Sequence, residues 1–150
     1  MFLSSYESGV DVKKRVSIPA SFRKAMSGEE SVFLWPSIDK ACLEGGGTEL
    51  VGKWRRAISR MNGPRRVAFA NLILGRGRFY KFDDGGRIVL EDDFLDHTRI
   101  TDKARFVGLG DSFEIWTPDV HQSRYDALLQ LARETVDEVN PFEDGEGGPA

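Results

Sequence analysis

Residues 11–18 read DVKKRVSI and residues 83–90 read DDGGRIVL. Both stretches contain an acid, three spacer residues, an arginine and then aliphatic residues at alternating positions, and they start 72 residues apart, at 11 and 83. The same offset places Phe22 opposite Phe94 and Cys42-Leu43 opposite Glu114-Ile115, whereas residues 32–34 match 106–108 only if a two-residue gap is allowed. Because order and spacing are preserved together, the sequence predicts an internal duplication.

Each half predicts the same series of elements: a turn, a strand with period-two alternation, a short helix, two further strands and a longer helix. In the first half, Pro19 ends the first strand and suits the first turn of the helix at 20–26. Thr48 is expected to cap the longer helix, on which Leu50, Trp54 and Ile58 share one face. The chain is therefore expected to be a β-rich α+β protein.

The second half has the same signals near its end. Strands are expected at 105–109 and 112–116, and Thr117-Pro118 is a strong helix start. Apolar residues form a broad stripe on this last helix, which we expect to dock on another surface: Tyr125, Leu128, Leu129, Ala132 and Val136. The predicted organisation is repeat 1 at 1–60, a basic linker at 61–76, repeat 2 at 77–136 and a disordered acidic tail at 137–150.

Charge is distributed unevenly along the chain. The net charge is −3, but residues 1–89 hold 16 Lys and Arg against 9 Asp and Glu, and residues 90–150 hold 5 against 15. A basic first part favours a polyanionic partner. No apolar run is long enough to cross a membrane, and no secretory signal is present, so the cytoplasm is the expected location. The single cysteine, Cys42, is expected to be a buried structural thiol.

Motifs for catalysis or metal binding are absent. His97 and His121 lack the spacing of a zinc or hydrolase site and are expected at the surface. Acidic residues at 91–96 are expected to be a solvated helix start. The glycines at 45–47 lack a phosphate-loop ending and are expected to form a flexible connection. The sequence thus predicts a non-enzyme without metal, cofactor or small-molecule substrate.

The strongest local signal is the basic run Lys13-Lys14-Arg15 at the turn before a strand. Arg87 recurs at the position of Arg15, with Asp83 and Asp11 four residues before the two arginines. An acid at this spacing can hold the arginine by a charge-assisted hydrogen bond. Two interpretations stay open: the acids orient arginines that bind DNA, or both pairs only stabilise their turns.

The stretch from Asp11 to Arg23, with the pattern D-x-K-x-R-V-x-I-P-x-x-F-R, resembles the first signature of the MraZ family. The second copy at 83–90, followed by Val107-Gly108 and Glu114-Ile115-Trp116, resembles the second signature. The resemblance covers about residues 1–135. Two positions depart from it: Lys14 replaces a glycine, and Glu91 replaces a proline.

This resemblance implies two tandem AbrB-like half-domains of the swapped-hairpin type, which form a pseudo-two-fold double-split β-α-β barrel followed by a C-terminal helix. It also implies a ring of more than two subunits and binding of double-stranded DNA at short promoter repeats of the division and cell-wall gene cluster. The implied DNA contacts are Lys13, Arg15 and Arg87, to which we add Lys14 and Arg23 as cations of the same motif; Asp11 and Asp83 are expected to support the turns.

The expected function is therefore a nucleoid-associated, sequence-specific regulator of transcription, with the first half as the main DNA face because Asp84 and Glu91 surround Arg87. A ring would give repeated weak contacts a high effective concentration. The alternative is an oligomeric scaffold that binds protein partners without reading DNA.

Overall fold

The computed structural model describes residues 1–143 of the chain. The described residues form two compact units, one at Met1–Pro118 and a second that begins at Asp119. The first unit is a mixed α+β structure with eight strands and four α-helices: β1 (Ser5–Gly9), β2 (Arg15–Ser17), α1 (Ala20–Ala25), β3 (Ser31–Pro36), β4 (Leu43–Gly46), α2 (Thr48–Ser59), α3 (Gly63–Phe69), β5 (Arg78–Lys81), β6 (Arg87–Val89), α4 (Asp92–Thr98), β7 (Lys103–Gly108) and β8 (Phe113–Trp116). The predicted α+β class is confirmed, but the described residues contain more helix than strand, so the structure is mixed and not β-rich.

Six strands form one antiparallel sheet in the order β1-β7-β8-β4-β3-β5, and β2 pairs with β6 in a separate two-stranded sheet. The order is symmetric under the repeat, because the first strand of each half pairs with the other half: β1 with β7, and β5 with β3. Val16 pairs with Ile88 and Leu43 with Ile115, so each of these residues faces its own counterpart 72 positions away. A local pseudo-two-fold axis therefore passes through both pairs.

The repeat is more regular than the sequence suggested. β3 starts at Ser31 and β7 at Lys103, which is the same 72-residue offset found elsewhere. The predicted two-residue gap between these strands is therefore wrong. The gap comes from matching apolar residues by type, whereas the two strands are equivalent by their positions in the sheet.

The core lies on both faces of the six-stranded sheet. Residues that alternate along a strand point to opposite faces, and β3 shows this directly: Val32 and Leu34 join one cluster, and Phe33 and Trp35 join the other. The larger cluster also receives residues from β2, α1, β6 and α4, among them Val16, Phe22, Ile88 and Phe94. The smaller cluster contains Leu50 and Ile58 of α2 together with Ile73.

The segment 61–76, interpreted from the sequence as a linker, is helical. It contains α3 and a π-helix at Ala70–Gly75, and Pro64 near the start of α3 suits the first turn of a helix. Phe69 packs beside Trp54 with ring centroids 6.4 Å apart, and Ile73 is buried. This segment therefore belongs to the layer that covers the second face of the sheet.

The glycines at 45–47 are not a flexible connection, contrary to the prediction. Gly45 and Gly46 are buried in β4, and Gly47 is the residue before α2. Thr48 does not cap this helix with its side chain; the Thr48 amide instead donates to the Glu29 carboxylate at 2.9 Å. At each of the three positions a Cβ atom would lie less than 3.0 Å from a neighbouring side-chain atom, so close packing requires glycine there.

The only cysteine and the two histidines of the chain lie at least partly inside the protein. Cys42 is a buried free thiol, as predicted, and burial raises its pKa well above the ordinary value. The histidines are less exposed than predicted: His97 Nε2 lies 2.9 Å from the Lys40 carbonyl oxygen, and His121 is buried. His97 is half-buried and His121 is buried, and the short polar segments around them in the sequence did not indicate this.

The second unit contains most of α5 (Pro118–Thr135) and a 3₁₀ helix at Val136–Glu138. The start of α5 at Pro118 is as predicted. The apolar stripe is exposed: Tyr125 at 49%, Leu128 at 44% and Leu129 at 39%. Of the tail predicted at 137–150, residues 144–150 lie outside the described residues.

We expect Gly45→Ala to lower the free energy of unfolding by about 1–3 kcal/mol, because a Cβ atom there would lie 2.4 Å from Leu34 Cδ2 and 2.8 Å from the Phe33 carbonyl oxygen. Gly9→Ala is the matched control in β1, where the nearest atom to the new Cβ is 4.0 Å away. Urea unfolding of both variants measures the difference. Equal stability of the two would contradict the packing described for β4.

Candidate nucleic-acid interface

The two copies of the repeated motif form the same turn. In the first copy, Asp11 Oδ1 accepts hydrogen bonds from the Lys13 and Arg15 amides, and Asp11 Oδ2 accepts from Arg15 Nε at 2.7 Å. In the second copy, Asp83 accepts from the Gly85 and Arg87 amides and from Arg87 Nε at 2.9 Å. Each aspartate therefore fixes both the backbone of its turn and the direction of its arginine.

These hydrogen bonds stabilise the charged form of both carboxylates. The amide of Arg15 is the main cause that lowers the pKa of Asp11, and the amide of Arg87 is the main cause for Asp83. The guanidinium groups lower both pKa values further. Both aspartates are therefore ionised hydrogen-bond acceptors at neutral pH.

The ladder between β2 and β6 brings the two arginines onto one surface. Arg15 pairs with Val89, and Ser17 pairs with Arg87. Because alternate residues of a strand share a face, these four side chains lie on one side, opposite the buried Val16 and Ile88. Arg15 and Arg87 are diagonal neighbours, whose Cα atoms lie roughly 7–8 Å apart. We call the surface formed by Arg15, Ser17, Arg87 and Val89 the ladder face.

The guanidinium groups on the ladder face keep their outer ends available. Among the described residues, the side chains of Arg15 and Arg87 bond only through Nε, to Asp11 and Asp83 respectively. The Nη1 and Nη2 groups of both residues are thus available, and the side chains are 32% and 39% exposed. A guanidinium held at Nε can offer two parallel donors to one acceptor pair, which is the geometry for guanine or phosphate.

Of the other predicted contacts, Lys13 is exposed, and its ammonium group forms no ion pair within residues 1–143. Lys14 forms an ion pair with Asp92, at the start of α4 in the second half. Glu91 pairs with Arg78 at 2.9 Å. The sequence suggested that Glu91 surrounds Arg87 with negative charge, but this carboxylate already has a cationic partner. The two halves of the ladder face are therefore more alike than predicted.

Arg23 has no cationic counterpart, because Leu95 occupies the position 72 residues later. Its Nε donates to the Ile18 carbonyl oxygen at 3.2 Å, and its guanidinium covers Gly86, where a Cβ would lie 2.6 Å from Arg23 Cζ. The side chain is half-buried and links α1 to the turn of the second half. The structure thus gives Arg23 a bracing role beside the ladder face.

Lys14 and Gly86 occupy matching turn positions with φ of 64° and 75°. A side chain in this left-handed region costs roughly 1 kcal/mol more than glycine. We therefore expect Lys14→Gly to raise the free energy of unfolding by about 0.5–1 kcal/mol, and Gly86→Ala to lower it because Arg23 must also move. Chemical denaturation measures both. A destabilised Lys14→Gly variant would show that its ion pair with Asp92 outweighs the backbone strain.

The lowered pKa values predict a loss of stability in acid. As the pH falls through the ordinary value of 3.8, the unfolded chain binds protons before folded Asp11 and Asp83 do, so the stabilisation present above this range is lost below it. We expect the double variant Asp11→Asn/Asp83→Asn to have a lower unfolding temperature than the wild-type protein at neutral pH. Its unfolding temperature should also fall less as the pH is lowered into the acid range. Asp126→Asn on α5 is the control. An unchanged acid dependence in the double variant would contradict this assignment.

Curated proteins of similar sequence support one family. Transcriptional regulator MraZ of Hyphomonas neptunium is 39% identical over 143 residues, which cover 91% of this chain and 86% of that protein. MraZ of Caulobacter vibrioides is 39% identical over 137 residues, covering 89% of this chain and 88% of the relative. The chain belongs to the MraZ family. MraZ of Rickettsia rickettsii is 37% identical over 138 residues, which cover 89% of this chain and 93% of that protein.

Family membership confirms the resemblance seen in the two motifs, although no family model matches the chain. The MraZ relatives are named as transcriptional regulators, which are not enzymes, so the prediction of a non-catalytic protein is also confirmed. Among the described residues of this MraZ family member, no helix is long and apolar enough to cross a membrane. No group of possible metal ligands occurs in the same part of the chain.

The ladder face itself was only partly predictable. Sequence reasoning identified Asp11, Arg15, Asp83 and Arg87 but missed that the two arginines share one face. The signal was available in the alternation Arg15-Val16-Ser17 and Arg87-Ile88-Val89. Its use required knowledge that these two strands pair with each other, which no local pattern gives.

Proposed function

We propose that this protein is a sequence-specific DNA-binding regulator of transcription, and that the ladder face reads the DNA. The observation that carries the proposal is the pair of outward arginines, each held at Nε by an aspartate and each with a free bidentate end. The major groove of DNA admits a two-stranded β-ribbon, and arginine bound to guanine O6 and N7 is the commonest specific contact there. Lys13 adds a charge for the adjacent phosphates.

We infer that the halves at 1–60 and 77–136 are AbrB-like repeats of the swapped-hairpin type, joined by 61–76 into a double-split barrel. The exchange of β1 and β5 between the halves supports this assignment. The two-fold relation between the two turns also matches a symmetry of double-stranded DNA. A duplex has local two-fold symmetry, so equivalent arginines can approach both strands in the same way.

We further propose that several copies form a ring that binds short repeated elements in the promoter of the protein's own division and cell-wall gene cluster, at the nucleoid in the cytoplasm. One subunit offers few cations, and repeated contacts increase the effective concentration at spaced sites. The edge strands β1 and β5 and the apolar stripe of α5 are surfaces that an assembly would cover. Light scattering tests the assembly, and a monomer mass at micromolar concentration would exclude the ring.

A direct experiment separates this function from the alternative. Fluorescence anisotropy would compare the purified protein on its own upstream DNA and on a scrambled duplex of equal composition, over about 50–200 mM salt. We expect tighter binding to the upstream DNA by about 10³-fold or more. Equal affinity for both duplexes would exclude sequence-specific regulation.

The second candidate function is an oligomeric scaffold for protein partners. The observation in its favour is the exposed apolar stripe on α5, where Leu128 is 44% exposed, together with the neighbouring Leu131, which is 58% exposed. Contiguous exposed apolar residues often mark protein-binding surfaces. Under this alternative, Leu128→Ser/Leu131→Ser would abolish partner binding, and DNA affinity would be weak and independent of sequence.

A further inference from the structure

A second cationic surface lies in the layer formed by α2, α3 and the π-helix. Residues 50–82 contain nine Lys and Arg and no Asp or Glu. Five of these arginines are exposed on α2, at its end and on α3, and we call them the arginine surface: Arg55, Arg56, Arg60, Arg65 and Arg66. The protein as a whole carries a net charge of −3, so this concentration of charge is local.

The arginine surface lacks counter-ions. Within residues 1–143, none of its five guanidinium groups forms an ion pair, whereas neighbouring cations do: Lys53 pairs with Glu49 and Asp111, and Arg78 pairs with Glu91. Arg56 and Arg60 are separated by one helical turn, and like charges at this spacing destabilise a helix. An anionic partner that neutralises these residues would remove the repulsion.

This surface is separate from the ladder face. The strands of the ladder face pack through Val16 and Ile88 on the sheet face that carries Val32 and Leu34. Helix α2 packs through Leu50 and Ile58 on the opposite face. The two cationic surfaces are therefore on opposite sides of the six-stranded sheet, and DNA that contacts only the ladder face leaves the arginines uncovered.

We propose that the arginine surface binds the phosphate backbone of double-stranded DNA without regard to sequence, as a second DNA site in addition to the ladder face. The inference rests on the proposed function in naming DNA as the ligand. Residues 55–60, in the last turns of α2 and at its C-cap, span about 7.5 Å along the helix axis, and a duplex presents one negative charge per ~1.7 Å of its axis. Closely spaced guanidinium groups thus face several phosphates at once. The rings of Trp54 and Phe69 stack on each other against the apolar cluster and do not point outward. They are therefore not placed to stack on bases, which favours contact with the phosphate backbone of the DNA.

The test uses three variants of the full chain. The first, Arg55→Gln/Arg56→Gln/Arg60→Gln, removes charge from the arginine surface and keeps good helix-forming residues. The second, Arg15→Gln/Arg87→Gln, alters the ladder face. The control, Arg99→Gln/Lys103→Gln/Arg133→Gln, removes the same number of exposed charges elsewhere. Circular dichroism verifies folding, and anisotropy is measured on promoter and scrambled duplexes over a range of salt.

The first variant should bind the scrambled duplex more weakly, and its slope of log affinity against log salt should fall by about 0.9 for each phosphate that the protein no longer neutralises. Its preference for promoter DNA should persist. The ladder-face variant should lose that preference and keep salt-dependent binding to the scrambled duplex. The control should match the wild-type protein in both measurements.

An unchanged salt slope in the first variant would overturn the inference. So would a reduced oligomer mass with unchanged DNA binding, since the surface would then be a protein contact. If the wild-type protein shows no preference for promoter DNA but the first variant still binds scrambled DNA more weakly, the proposed sequence reading fails and the second site stands.

Discussion

Arg15→Gln is expected to weaken binding to promoter DNA by about 5- to 150-fold, which corresponds to the roughly 1–3 kcal/mol that a bidentate arginine–guanine contact contributes. The effect should be much smaller on scrambled DNA, because glutamine removes the fork of donors that reads the base. Competition anisotropy with both duplexes measures the change. Arg99→Gln, which removes an exposed charge outside the ladder face, is the control and should bind like the wild-type protein.

Arg87→Gln should weaken binding to promoter DNA by a similar factor. The sequence favoured the first half as the DNA face, but the structure holds Arg87 with the same hydrogen bonds as Arg15 and pairs Glu91 with Arg78. The double variant Arg15→Gln/Arg87→Gln should therefore lose nearly all preference for promoter DNA. Unchanged preference in a well-folded double variant would exclude the ladder face as the reader.

The largest effect on stability is expected for Phe22→Ala, at about 3–5 kcal/mol. Phe22 is fully buried, and its ring centroid lies 5.0 Å from that of Phe113, 5.4 Å from Phe2 and 5.6 Å from Tyr6. Truncation leaves a cavity where α1, β1 and β8 meet. Urea unfolding measures the loss.

The control for this prediction is Phe142→Ala, because Phe142 is 93% exposed. Its free energy of unfolding should stay within about 0.5 kcal/mol of the wild-type value. A loss of less than about 1 kcal/mol for Phe22→Ala would show that the first-half helix is not part of the common core.

Local patterns in the sequence predicted many of the helices and strands but missed β1 and β5. The acid four residues before each arginine, the alternation that follows and Pro19 together indicated β2, β6 and the helix after each strand. The long amphipathic helix with Leu50 and Ile58 and the start of α5 at Pro118 were also recognisable. These features depend on residues close together in the chain, where propensity and periodicity act directly.

The non-local features could not be predicted in this way. The exchange of β1 and β5 between the halves depends on which strand edges become neighbours after folding. The residue pattern of an antiparallel strand does not specify the strand with which it pairs. The segment 61–76 was interpreted as a basic linker, although it contains α3 and the π-helix. Gly77 is in fact required by packing, since a Cβ there would lie 2.2 Å from Phe33 Cζ.

The most direct test of the ladder face as the DNA reader is site-specific photocrosslinking. A photoreactive amino acid would replace Ser17 or Val89, which lie on the ladder face, or Leu109, an exposed control residue between β7 and β8. If the ladder face reads DNA, positions 17 and 89 should crosslink to promoter DNA and position 109 should not. Unlabelled promoter DNA should suppress these crosslinks more than scrambled DNA does. Absence of crosslinks at 17 and 89 in folded protein that still binds the promoter would contradict this role of the ladder face.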